Sequence, residues 1–230
     1  MPDFTYSQIA KMIDHSLLQP TLTDRELEDG CRLAREYDVA SVCIKPYAVA
    51  QATAWLRGST VAVGTTIGFP HGGHLTRIKV AEAEQALADG ARELDMDVNI
   101  GKVLAKDWRY VGQDIKAVVD VAHTGRALVK VIFENCFLKD EDKEELCRIC
   151  ADLGADFVKT STGYGDGGAL DEDLRLMRRF SPPRVQIKAA GGIRTFDRLL
   201  AVRAVGVTRV GATATKTILD ECRKRLKDEL

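Results

Sequence analysis

Apolar positions along the chain follow two rhythms in alternation. Segments in which apolar residues recur with a helical period end at Gly90, Gly154 and Gly206, and each is followed by a short β-type run: GARELD, GADFVK and GVTRVG. A glycine suits the left-handed residue that follows a helix, and the run behind it suits a buried parallel strand. A fourth copy starts at Asp38 in place of glycine, in DVASVC. The sixth residues of these runs are Asp95, Lys159, Gly211 and Cys43, so an acid, a base, a glycine and a thiol are expected at equivalent strand ends. Further strands are expected over 12–17, 60–68, 127–134 and 184–189, which makes eight. Helix starts are marked as well. Thr23 with Glu26 reads as a capping box before Leu27, Cys31 and Ala34, and Thr195 as the cap of a helix through Leu199, Leu200 and Val202. Asp140 opens a charged helix whose expected inner face is Leu146, Ile149, Cys150 and Leu153.

Eight units in 230 residues leave about 29 residues each, the length of a strand, a helix and two short loops. No Ser-, Pro- or Gly-rich linker divides the chain. The fold expected is α/β, an eight-stranded parallel (β/α)8 TIM barrel, as a single domain over 1–230. A doubly wound open sheet would want a glycine-rich nucleotide loop after its first strand, and MIDHSLLQP contains no glycine. In a barrel the chemistry sits at the carboxyl ends of the strands, where Asp95, Lys159 and Gly211 fall.

Composition narrows the partners. Thirty-three Lys and Arg against 34 Asp and Glu give a net charge of −1, which supplies no field to gather nucleic acid or an anionic membrane. No run approaches the ~18 to 20 apolar residues of a membrane span, and the first residues lack the pattern of a signal peptide, so a cytoplasmic protein is expected. The six cysteines are read as thiols, mostly buried. Cys147 and Cys150 in CRIC have no second pair to complete a zinc site. The ending Lys227 to Leu230 spells KDEL, an address read only in the secretory lumen, and is taken as coincidence.

The candidate chemistry begins with three lysines inside apolar strands, Lys130, Lys159 and Lys188, because an ammonium there is costly unless it is held or loses its proton. A single one could be a structural ion paired with Asp95. Three converging on one barrel mouth favour the neutral amine of one of them, which attacks carbonyl carbon to form a Schiff base. Gly163, the pair Gly191 and Gly192, and Gly211 follow strands six to eight, where barrel loops often grip phosphate through backbone N–H groups, and Arg194 stands beside them. Asp14 and His15, at the end of the first strand, could line the mouth, with a salt-bridging Asp14 as the alternative. His71 and His74 in FPHGGHLTR read as flanks of a turn in preference to metal ligands.

The motifs MIDHSLL, SVCIKP, GTTIGFPHG, ELDMDVNIG, VKVIFE, FVKTSTG, IKAAGGIR and RVGAT, in this order, resemble the deoxyribose-phosphate aldolase family across nearly the whole chain. The resemblance implies a class I aldolase that reversibly cleaves 2-deoxy-D-ribose 5-phosphate to acetaldehyde and glyceraldehyde 3-phosphate, with no cofactor and no metal. It implies Lys159 as the Schiff-base lysine, Lys188 as the lysine that perturbs it, and Asp95 as the acid that moves protons. Asp14, Cys43, Lys130 and Thr162 then fall on the substrate pocket, and Gly163, Gly191, Gly192, Arg194, Gly211 and Thr213 on the phosphate loops. Partners would be small aldehydes and sugar phosphates, with assembly as a homo-oligomer, dimer or tetramer. This chain departs from some relatives at Tyr164, where they carry lysine, and at Thr213 and Ala214, where they carry a serine pair. It lacks the terminal tyrosine of some relatives, and it carries Asp97 where an apolar residue is more usual. A related lysine aldolase with a different or unphosphorylated aldehyde, and a non-catalytic barrel with a binding role, are the alternative readings.

Overall fold

The computed structural model describes residues 4–228, so Glu229 and Leu230 of the KDEL ending lie outside it. Eight parallel strands close into a barrel in chain order: β1 (Ile13–Leu17), β2 (Ser41–Ile44), β3 (Ala62–Ile67), β4 (Glu93–Asp97), β5 (Leu128–Ile132), β6 (Phe157–Lys159), β7 (Gln186–Ala190) and β8 (Arg209–Ala212). A short helix, α1 (Tyr6–Ala10), precedes the first strand. The outer ring is α2 (Asp24–Glu36), α3 (Val49–Trp55), α4 (Thr76–Ala88), α5 (Ile100–Leu104), α6 (Trp108–Thr124), α7 (Asp140–Leu153), α8 (Asp171–Phe180), α9 (Phe196–Ala204) and α10 (Thr215–Asp228). This is the (β/α)8 architecture expected from the repeat.

The helix boundaries follow the local chemistry. Thr23 caps α2, and its own backbone N–H donates to Glu26 Oε2 at 2.7 Å, which completes the capping box. Thr195 Oγ1 accepts the Arg198 N–H at 3.2 Å at the start of α9. Gly154 ends α7 at φ 79°, and Asp38, which opens the glycine-less copy of the repeat, takes φ 52°, so an aspartate adopts the left-handed conformation there. The inner face of α7 is rotated from the expected one: Leu146, Cys147, Cys150 and Ala151 are buried, while Ile149 and Leu153 are only partly covered. The buried Cys147 and Cys150 thiols are both held well above the ordinary cysteine range by burial.

The core lies outside the barrel. On β4, Leu94 and Met96 pack outward with Val42, Val63, Val129, Val131, Val158, Ile187 and Val210 of the other strands against the helices. The alternate positions Glu93, Asp95 and Asp97 face the axis, where the strands carry Ser41, Lys130, Lys159, Lys188 and Arg209. The interior of this barrel is therefore built from charge, where many barrels are filled with branched apolar side chains. The register also corrects the expectation that Asp95 and Lys159 stand level. Asp95 pairs with Lys130, whereas Lys159 pairs with Ile132, and Ile132 pairs with Asp97. Lys159 is thus one inward-facing layer above Asp95, and its side chain reaches down to it.

Candidate active site

Asp95 is the hub of the interior. Its Oδ1 accepts from Lys130 Nζ at 2.8 Å, and its Oδ2 accepts from Lys159 Nζ at 2.8 Å and from Lys188 Nζ at 2.7 Å. A second carboxylate stands beside it on β1. Asp14 Oδ1 accepts from Ser41 Oγ at 2.7 Å and from Arg209 Nη1 at 2.6 Å, and Asp14 Oδ2 lies 2.6 Å from Lys188 Nζ as an ion pair with no hydrogen bond aligned on it. Below them, Glu93 takes Lys130 Nζ at 2.7 Å and Arg209 Nη1 at 2.9 Å, and the Arg209 guanidinium stacks 5.4 Å above the Phe157 ring. Three carboxylates thus face four cations in one buried network, an excess of one positive charge.

The protonation of the network follows from these contacts. Burial opposes ionisation of Asp95, but Lys130, Lys159 and Lys188 outweigh it and hold the carboxyl well below its usual range. Asp14 is held low in the same way, against burial, by Lys130, Lys188 and Arg209. Burial is the largest single influence on Lys159 and pushes it toward its neutral amine, but Asp95, with Cys43 and Asp97, together outweigh burial and keep the ammonium above the ordinary lysine range. The reading that Lys188 depresses Lys159 therefore needs correction for the resting site: the two ammonium groups do not face each other bare, because Asp95 Oδ2 accepts from both. Cys43 Sγ lies 3.9 Å from Asp95 Oδ2, and burial and then that carboxylate push its thiol up to about 11.

Above this network opens a cavity of about 330 Å³. Its floor is Asp14, Cys43, Lys159 and Lys188, and its rim comes from the loops after β1, β6, β7 and β8, with Thr162, Gly163, Gly191, Gly192, Arg194, Gly211 and Thr213 all on its wall. Lys130, read from the sequence as a substrate contact, is instead beneath the floor, tied to Glu93 and Asp95. Asp95 is likewise behind the floor and meets the cavity through Lys159 and Lys188. His15 does not line the mouth. It points outward from β1, with Nδ1 2.8 Å from Thr215 Oγ1 on α10. His71 and His74 are exposed on the turn around Gly72, where φ is 65° and a Cβ would collide with the Val98 carbonyl.

The rim loops are tied to one another by specific contacts. Gly191 takes φ 84°, and a Cβ on it would lie 2.8 Å from Gly168 Cα, so the β6 and β7 loops meet backbone to backbone. Thr162 gives both its N–H and its hydroxyl to Glu134, a residue with φ 56° just beyond β5. Tyr164 reaches across the mouth, its hydroxyl donating to the Leu18 carbonyl at 2.8 Å and its ring meeting Phe69 edge-on at 5.4 Å. Arg194 is exposed on the rim, and among the described residues no carboxylate pairs with it. Glu93, Arg209 and Glu134 were not singled out from the sequence. Glu93 and Arg209 stand two residues before Asp95 and Gly211, on the same face of their strands, and that spacing was the signal available.

This constellation, a buried lysine at the floor of a barrel-mouth cavity with a carboxylate behind it, can be compared with known proteins. The family model described as DeoC/LacD family aldolase matches residues 8–215. This chain belongs to the DeoC/LacD aldolase family. Among its relatives, a deoxyribose-phosphate aldolase of Rhodopirellula baltica is 55% identical over 226 residues, covering 98% of this chain and 94% of the relative. One from Thermococcus gammatolerans is 46% identical, covering 94% and 96%. The solved tetrameric deoxyribose phosphate aldolase from Aeropyrum pernix superposes with a TM-score of 0.89 at 26% identity, covering 96% of this chain and 93% of that one. Family membership accounts for the shared barrel. What the interior charges do in this chain is a question of their chemistry. Among the described residues, no helix is long and apolar enough to cross a membrane.

Proposed function

We propose that the chain is a class I aldolase acting on 2-deoxy-D-ribose 5-phosphate, with Lys159 as the residue that bonds the aldehyde carbon. The observation that carries this reading is the position of Lys159 Nζ: on the cavity floor, nearly dry, and hydrogen-bonded to Asp95, which also holds Lys188. Once Lys159 gives up its extra proton, its lone pair attacks the carbonyl carbon, the carbinolamine loses water, and the iminium draws electrons from the bond to be cleaved. The excess cation in the network favours that first loss, since one proton removed leaves three carboxylates matched by three cations. Asp95 shuttles protons at Lys159 through the hydrogen bond they share, and Lys130 and Lys188 keep it ionised and in place.

The far end of the sugar belongs at the rim. Gly163, Gly191 and Gly192 take φ of 91°, 84° and 84°, a backbone that turns N–H groups toward an anion, and Arg194 adds an exposed guanidinium on the same rim. Arg194→Ala is expected to raise KM for the phosphorylated sugar about tenfold while leaving plain deoxyribose unchanged, since a charge-assisted hydrogen bond is worth ~1.5 to 3 kcal/mol. Steady-state kinetics on the two sugars check it, and equal effects on both would remove Arg194 from the phosphate site. Tyr164 favours a second reading, a lysine aldolase for a different or unphosphorylated aldehyde, because an aromatic strap and not a cation stands there. Turnover on deoxyribose that matches turnover on its 5-phosphate would decide for it. A homo-oligomer is proposed on the likeness to the tetrameric relative, and a cytoplasmic location on the metabolic character of the family.

A further inference from the structure

Asp97 is a buried carboxyl near Lys159 that the reaction above does not use. It is 1% exposed, and neither of its oxygens has a hydrogen-bond partner among the described residues. Leaving such a group unpaired is costly, so its position asks for an explanation. Asp97 stands on the same rung of the barrel as Lys159, separated from it by Ile132 alone. Two strand spacings are about 10 Å between α-carbons, and Lys159 Nζ reaches from that rung to Asp95, two residues before Asp97 on the same strand.

The charged groups around Asp97 come from four directions. Asp95 lies two residues earlier on its own strand, Lys159 faces it from β6, and Glu134 faces it from beyond β5. Lys79 of α4 donates to the Asp97 backbone carbonyl at 2.7 Å, but its charge is paired with Asp114 at 2.6 Å. Burial is the largest influence and raises the Asp97 carboxyl well above its ordinary range. Lys159 and Lys79 pull against burial, and Glu134 and Asp95 reinforce it. In the resting site Asp14 and Asp95 are clamped as carboxylates by lysines, so any proton Asp95 passes is one it first takes from Lys159.

We propose that Asp97 is a second acid of this site, which protonates the hydroxyl of the carbinolamine formed on Lys159 so that it leaves as water. The inference rests on Lys159 forming the Schiff base. In the step, the Asp97 proton bonds to the hydroxyl oxygen, the C–O bond breaks toward that oxygen, and the nitrogen lone pair closes the C=N bond. Asp97 is left as a carboxylate beside the iminium. It regains its proton when C2 of the iminium is deprotonated, the C–H pair forming C=C and the C=N pair returning to nitrogen.

The test uses the full chain and its Asp97→Asn and Asp97→Val variants. Infrared difference spectra, wild type minus Asp97→Asn, should show the carbonyl stretch of a protonated carboxylic acid at neutral pH. Rapid mixing with acetaldehyde and quenching in borohydride should show imine forming about 100-fold more slowly in both variants, the scale of a positioned acid. The wild-type rate should fall toward alkaline pH as Asp97 loses its proton, and that limb should be missing in the variants. If the variants do not fold, the acid band followed in the unmodified protein after acetaldehyde is added should decrease transiently. A band that is missing or unresponsive overturns the proposal, as do variants that form imine within twofold of wild type with the same pH profile. Absence of any acetaldehyde adduct in the wild type would instead defeat the Schiff-base reading, and this inference with it.

Discussion

At the scale of single residues, the controlling fact is that Asp95 Oδ2 accepts from both Lys159 and Lys188. Lys188 therefore acts on Lys159 in two ways: it dilutes the hold of the shared carboxylate, and it contributes the surplus positive charge that makes a proton costly to keep. In Lys188→Leu, Asp95 serves Lys159 more fully and the surplus is gone, so Lys159 should hold its proton more tightly. The rise of turnover with pH should then move upward by about two units, the scale of a like charge roughly 5 Å away at an effective dielectric of about 20. Lys188→Arg keeps the charge and should keep most of the wild-type profile. The check is kcat against pH on the phosphorylated sugar. A profile that does not move while substrate binding is lost would make Lys188 a ligand and not a modulator.

At the scale of elements, the site depends on loops locked to one another. Gly191 and Gly192 share φ 84°, but only Gly191 lies against backbone, with Gly168 Cα 2.8 Å from where its Cβ would be. Gly191→Ala should cost about 1 to 3 kcal/mol and displace the β6 and β7 loops, raising KM for the phosphorylated sugar. Gly192→Ala meets open space, so it carries backbone strain alone and should leave the loops closer to their native positions. Urea unfolding together with KM separates the two, and equal damage from both would show that the contact with Gly168 contributes nothing. Eight strands and the capped starts of α2 and α9 were legible in the sequence, because strand runs and caps are written in adjacent residues. The inward-facing acids and bases at Asp95, Lys159 and Lys188 were legible for the same reason, as charge inside apolar runs. The level of one strand against the next was not, since barrel stagger is decided by closure of all eight strands. Hence Asp95 and Lys159 were expected level and Lys130 was expected on the cavity wall. Glu134 was invisible for a related reason: its partner Thr162 is 28 residues away, joined to it only by folding.

At the scale of the whole molecule, the apolar core and the charged interior lie on opposite sides of one sheet, so acid should unfold the barrel in two stages. His15, between β1 and α10, is lowered to about 4 by burial from an ordinary 6.5. Between those values the unfolded chain binds a proton that the folded chain refuses, so stability falls as pH drops from 6.5 to about 4, by up to ~3 kcal/mol from this residue. Asp14 and Asp95 are held low, so their contribution is present above the ordinary carboxyl range and is lost as pH falls through it and below. His15→Asn should flatten the upper stage and leave the lower one. Denaturant unfolding across pH checks this, and an unchanged slope between pH 6.5 and 4 would mean that His15 is already protonated in the folded state. The interior charges of the barrel gather around one reactive atom, the Nζ of Lys159, and the most direct measurement of that claim is chemical. Incubate the protein with acetaldehyde, reduce with borohydride, digest it, and locate the adduct by mass spectrometry. One ethyl group per chain on Lys159 is the predicted result; a label on Lys188 or Lys130, or no label at all, would contradict the account.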